Sequence, residues 1–313
     1  MKIKQLATSI LSASLLLGAA FAVHAQDDNR NRVAKGNNLG CAGYIQKAPV
    51  NTRFEVVGAE EEQEQHVYAQ GEYIYLNFGA NTGVKENDRY SVIRPRGRFR
   101  SPFSSKGDLG IYIQEVGAVR VVRVKQEVSV AVVENSCETI LLGDLLVPQQ
   151  TKIAPQRRPH QPLDRFSDPN GKANGRIVLA RDGREALARD QIVYLDLGAE
   201  DNVKAGDYLT IYRPLGTGNL TRITDVEVVR PEDMGFESRR YRGGKFSNQA
   251  MRKKGSDAEG RMTTTKDVKS RRPKMPRKVV GEVVIISVNE RTATAVITQN
   301  AQEIHTGDYV EVQ

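Results

Sequence analysis

The chain has 313 residues, with 46 Lys/Arg against 38 Asp/Glu, a net charge of +8, two cysteines and no tryptophan. Two cysteines are too sparse for a zinc site. Past the first 25 residues, no stretch reaches the ~18 apolar residues that a membrane helix needs.

Residues 1–25 read as a secretory signal peptide. Lys2 and Lys4 form a basic start, an apolar run covers Leu6–Val23, and Val23-His24-Ala25 is a small-x-small cleavage pattern. A membrane anchor is the rival reading, but the run is short and carries Thr8, Ser9, Ser12 and Ser14. A flexible N-terminus follows over 26–40. Cys41 and Cys137 make an even count in an exported chain, which predicts one disulfide, with two buried thiols as the alternative.

The chain then repeats itself. Tyr73–Pro95 aligns without gaps with Ile192–Pro214, a shift of 119 residues (Tyr73 to Ile192). Val116–Leu146 aligns with Val280–Val310, a shift of 164 (Val116 to Val280). The two shifts differ by 45, so the second copy carries an insertion between its blocks. A shorter lead-in, Cys41–Gln46 before the first copy and Asn174–Ala180 before the second, also matches. These limits predict a first domain over 41–147 and a second over 174–313. Between them, residues 148–173 form a Pro-rich linker with Pro148, Pro155, Pro159, Pro162 and Pro169.

Within each copy the apolar residues alternate. Val119, Val121 and Val124 in the first, and Val283, Ile285 and Val288 in the second, read as strands with one buried face. Arg181–Asp190 is the one stretch that reads as a short helix, or equally as a hairpin tip. One turn signature appears four times: Asn87-Asp88, Gly143-Asp144, Gly206-Asp207 and Gly307-Asp308, each before an apolar strand. Gly, and next best Asn, takes positive φ, and Asp can bond the backbone N–H groups of the turn.

The pattern VYLDLG…NVKAGDYLTIYR followed by VGEVVIISVNERTATAVI…IHTGDYVEV resembles the C-terminal domain of the bacterial flagellar assembly protein T family. That resemblance covers both copies and implies an SH3-like β-barrel in each. It also implies an exported, non-catalytic assembly or binding role. The expected fold is therefore all-β: two tandem small SH3-like barrels, a Pro-rich linker, and a long basic insertion in the second, at about 216–278. The family's N-terminal domains have no counterpart here, so a flagellar role is not carried over.

Candidate chemistry is sparse. Asp196, Glu200, Asp201 and Asp207 look like a calcium loop, but in the first copy Asn77, Asn81 and Thr82 stand at the first three positions. Turn chemistry is the better reading, and the spacing fits no EF-hand. His66, His160 and His305 have no metal-like spacing. Glu60, Glu61, Glu62 and Glu64 read as a solvated hairpin tip, or as a contact for a cation or basic partner. No cofactor is expected.

The insertion is the distinctive feature. Arg222–Lys278 holds 17 Lys/Arg against 8 Asp/Glu, a net of +9. Arg239, Arg240, Arg242, Lys245, Arg252, Lys253 and Lys254 interleave with Tyr241 and Phe246, and Arg271, Arg272 and Lys274 form a second cluster. Such a segment reads either as a solvated loop or as an electrostatic docking arm. The expected protein is an exported, periplasmic or outer-envelope scaffold. Its partner would be an anionic envelope polymer (peptidoglycan or lipopolysaccharide) or an acidic protein subunit. The alternatives are a secreted hydrolase with a site between the barrels, needing Asp196 or His305, and an exported nucleic-acid binder. Nucleic acid is not the expected partner.

Overall fold

A computed structural model describes residues 31–181, 183–215 and 272–313, and the protein is all-β. The described residues up to Tyr212, together with Val279–Gln313, form one compact unit that holds the matching blocks of both sequence copies. Among the described residues no helix is long and apolar enough to cross a membrane.

A helical turn at Gly36–Gly40 leads into β1 (Tyr44–Gln46). The first copy supplies β2 (Val56–Ala59), β3 (Tyr73–Leu76), β4 (Arg89–Arg100), β5 (Asp108–Val124), β6 (Ser129–Ser136) and β7 (Leu145–Pro148). Their order in the sheet is β2-β3-β6-β5-β4-β7. The two end strands meet through the bridge Glu55↔Leu145 and backbone bonds such as Val56 N to Asp144 O. The second copy supplies β8 (Asn174–Ala180), a minor strand β9 (Ala186–Leu187), β10 (Ile192–Leu195), β11 (Tyr208–Pro214), β12 (Arg277–Val288), β13 (Ala293–Asn300), a minor β14 (Ile304–His305) and β15 (Tyr309–Val312). Here β10-β13-β12-β11-β15-β8 is a closed six-strand barrel. Each strand of the first sheet has its counterpart at the same place in the barrel.

The lead-in alignment is corrected. Tyr44–Gln46 is not the counterpart of β8: it pairs with Ile111–Ile113 of β5, off the path of the first sheet. The counterpart is β2. Ala59 faces Ile74 as Ala180 faces Val193, and Val56 faces Leu76 as Ile177 faces Leu195. Both pairings carry a register shift at the same place. Arg181–Asp190 is a hairpin tip rather than a helix, with β9 paired to β14.

All four turn signatures fold alike. Asp88, Asp144, Asp207 and Asp308 each accept, at 2.8 Å, the N–H of the residue three positions earlier. Each also donates its own N–H to that residue's carbonyl. The residue before each Asp has positive φ: +72° at Asn87, +86° at Gly143, +97° at Gly206 and +93° at Gly307. The turn needs a left-handed residue and a short acceptor, which is why the pattern recurs.

Two cores follow the alternation. Ile74, Leu76, Val92, Val119, Val121 and Ala131 fill the first copy; Val193, Leu195, Leu209, Val283, Ile285 and Ala295 fill the second. A third cluster lies on the outer face of the barrel, where Ile192, Tyr194, Val284, Ile286 and Val296 pack against Val33, Ala42, Ile45, Leu109 and Ala154. This covering explains why all four residues of β10 are buried, while Tyr73 of β3 stays exposed.

Candidate functional site

Sequence analysis points to the acids of the Val193–Pro214 stretch, and the structure assigns each a holding role. Asp196 is buried and its Oδ1 accepts the Arg176 N–H at 2.5 Å. Asp207 closes its turn. Asp201 accepts the Gly198 N–H at 2.8 Å, and with Glu200 it takes Lys106 Nζ, at 2.5 Å and 2.6 Å respectively. Lys106 belongs to the loop joining β4 and β5, which reaches from the first copy to the second. Arg291 answers from the other side, donating to the carbonyls of Asp108 at 2.7 Å and Lys106 at 2.9 Å. Glu200 and Asp201 thus belong to a junction between the copies, while Asp196, Asp201 and Asp207 hold backbone N–H groups of their own copy. Among the described residues, no group of three His, Cys, Asp or Glu side chains is placed to hold a metal ion.

The hydrogen bond from Lys106, ahead of the other charges around it, holds the Glu200 carboxyl below its ordinary value. A carboxyl lowered in the folded state stabilises the fold above its unfolded pKa, and that contribution is lost as pH falls through the lowered value. Stability is thus expected to fall below pH ~4. Lys106→Met should remove part of that acid-sensitive contribution, no more than about 1 kcal/mol because Glu200 is partly solvated. Urea midpoints of both chains between neutral pH and pH ~3 would test this. Parallel curves would contradict it.

The N-terminal segment completes the junction. The Cys41–Cys137 disulfide, with Cα atoms 5.9 Å apart, ties it to the end of β6. Gly43 N donates to Glu115 Oε2 at 3.0 Å, and the other oxygen of this buried carboxylate takes Lys152 Nζ. On the barrel side, Thr292 and Thr294 donate to the carbonyls of Ile45 (2.8 Å) and Gly43 (3.1 Å). The Tyr194 hydroxyl donates to Ala42 O at 2.7 Å, and its ring meets Tyr112 edge-on at 5.3 Å. Burial, and then the Tyr112 hydroxyl, push the Tyr194 phenol up, so it remains a donor at neutral pH.

A second constellation lies where the connecting segment crosses the outside of the barrel. Ala154 is fully buried, and Pro155 O accepts the Val33 N–H at 3.0 Å. The Tyr208 hydroxyl accepts the Arg158 N–H at 2.9 Å and donates to Gln156 O at 3.2 Å. The Arg158 guanidinium lies 4.2 Å from the centroid of the Tyr208 ring. It reaches Glu282, whose side chain is 3% exposed. Thr298 donates to the other oxygen of Glu282 at 2.6 Å. An arginine is thus read by an aromatic face and a buried, oriented carboxylate. Beside it, His160, Arg189, Gln299 and Asn300 help to line a cleft of about 290 Å³.

The first copy lacks this constellation. Arg89, Ala118 and Glu134 stand where the second copy has Tyr208, Glu282 and Thr298. Glu134 is bonded instead by Arg89 at 2.9 Å and Arg120 at 2.7 Å. Sequence reasoning missed Arg158, Tyr208, Glu282 and Thr298. The signal available was disagreement between the copies at these positions, not their agreement.

Of the residues expected to bind a partner, Arg239, Arg240, Tyr241, Arg242, Lys245, Phe246, Arg252, Lys253, Lys254 and Arg271 lie outside the described residues, as do residues 1–25, whose sequence reads as a signal peptide. Arg272 is half-buried and Lys274 exposed. His305 is placed by the turn closed by Asp308, and its Nε2 lies 3.5 Å from Glu303. No family model and no curated protein matches the chain.

Proposed function

We propose that the chain is an exported, non-catalytic envelope scaffold. Two SH3-like barrels in tandem form its body, and the basic insertion of the second docks an anionic envelope polymer or an acidic protein subunit. The observation that carries this reading is the use of the conspicuous acids: Asp196 and Asp207 hold backbone N–H groups of their own copy, and Glu200 and Asp201 clamp the two copies together through Lys106. The insertion leaves the second copy between β11 and β12. The same junction in the first copy carries the outer part of the β4–β5 hairpin, which grips the neighbouring copy. One junction thus serves cohesion, and the other is available for a partner. The concentrated positive charge, a net of +9 over Arg222–Lys278, favours an anionic surface.

Deleting Arg239–Lys274 should abolish low-salt pull-down of the chain with envelope fractions while leaving the disulfide-linked body folded. Retention that is unchanged by the deletion would overturn the proposal.

A further inference from the structure

The sequence RRPHQP, Arg157–Pro162, occurs a second time as RRPKMP, Arg271–Pro276. The first occurrence places Arg158 against Tyr208 and Glu282. In both, the prolines fix φ near −65° and turn the residues before them away from helix, so both segments are pre-set as extended ligands. The second arginine of each motif, Arg158 or Arg272, is the one the constellation would read.

We propose that the Tyr208–Glu282 site is a receptor for Arg-Arg-Pro-x-x-Pro segments, and that its second ligand is Arg271–Pro276 of another copy of the chain. Three observations carry this. The site is built rather than incidental: an aromatic face and a carboxylate with a 3%-exposed side chain converge on one guanidinium, and a threonine hydroxyl orients that carboxylate. The present ligand fits it incompletely, because Arg158 Nε is buried with no acceptor among the described residues. Room for a longer contact exists in the adjoining cleft of about 290 Å³. Lysine would not substitute, because it lacks the planar fork that stacks on a ring and meets a carboxylate.

Reach argues for a second molecule. Pro276 directly precedes Arg277, the first residue of β12, and Glu282 lies five residues along that strand. At ~3.3 Å per residue that is about 17 Å. The chain would have to reverse at Pro276 and run back beside its own strand, where Pro273 and Pro276 hold it extended. This inference does not rest on the envelope role proposed above.

The test uses a fluorescent peptide of Lys269–Lys278 and the full chain. Binding should be saturable. It should be about tenfold tighter for Arg158→Ala than for the unmodified chain, whose own linker competes for the site. It should vanish when the peptide carries Arg272→Ala, or when the chain carries Glu282→Gln together with Arg158→Ala. Arg158→Lys, which keeps a cation beside Glu282, serves if Arg158→Ala fails to fold. Equal binding of a peptide with both arginines replaced by lysine, or no gain on emptying the site, would overturn the receptor. For the source of the ligand, the Arg158 variant should self-associate in sedimentation, and adding Arg272→Ala should return it to monomer. A variant that binds peptide yet stays monomeric would overturn the second copy as occupant.

Discussion

Replacing Cys41 and Cys137 by serine is expected to cost the chain about 4 kcal/mol, because the bond closes a loop with a sequence separation of 96. For a body of this size that is a drop of roughly 10 °C in Tm. The loss should also be local. Cys41 begins the segment whose Ala42, Gly43 and Ile45 carbonyls meet Tyr194, Thr294 and Thr292. Without the bond, amide exchange at Gly43 and along β1 should accelerate before the barrel interior does. Calorimetry and hydrogen exchange on the oxidised and double-serine chains would check both parts. A Tm change under about 2 °C would show that the packed segment holds itself in place.

Gly198→Ala is expected to destabilise by about 3 kcal/mol or more. The reason is not backbone freedom, since Gly198 is extended at φ −137°. A Cβ there would stand 2.4 Å from Glu290 O, and at the equivalent Gly79 it would stand 2.3 Å from Lys125 O. Both obstacles are backbone carbonyls, which cannot swing aside. The approach is needed because the following residue in each copy donates into the same loop: Ala80 N to Lys125 O and Ala199 N to Asn289 O, each at 2.9 Å. Urea unfolding of Gly79→Ala and Gly198→Ala should show similar losses. A cost below ~0.5 kcal/mol at either site would refute this explanation of the recurring glycine.

These glycines show what the sequence could reveal. The repeat made visible several positions where the fold needs a fixed local geometry: Gly79 with Gly198, Gly117 with Gly281, and the four Asp turns. Those requirements are local, so they leave at the same spacing the same residue, or one that meets the same need, as Asn87 and Gly206 do. The junction left no such trace. Tyr44–Gln46 is three residues long, too short to show alternation, and its partners Thr292 and Thr294 are about 250 residues away. The contact of the β4–β5 loop with Glu200 and Asp201 is made by Lys106, one cation among many. Likewise, Tyr208, Glu282 and Thr298 become one site only when β11, β12 and β13 are laid side by side.

The long separations at the junction also set an order of assembly. Gly43 and Thr294 are 251 residues apart, and Ile45 and Thr292 are 247 apart. Contacts of that span form late, because the intervening chain must first be ordered. A chain lengthening from its N-terminus can build β2 to β7 and close its disulfide while the Gly43 and Ile45 carbonyls still face solvent. Only the arrival of β13, almost the last strand, covers them. Premature termination before Thr292 would therefore leave a folded first half with an apolar, hydrogen-bond-hungry flank. Such a product should be recognised by quality control more readily than one truncated just after Asn300.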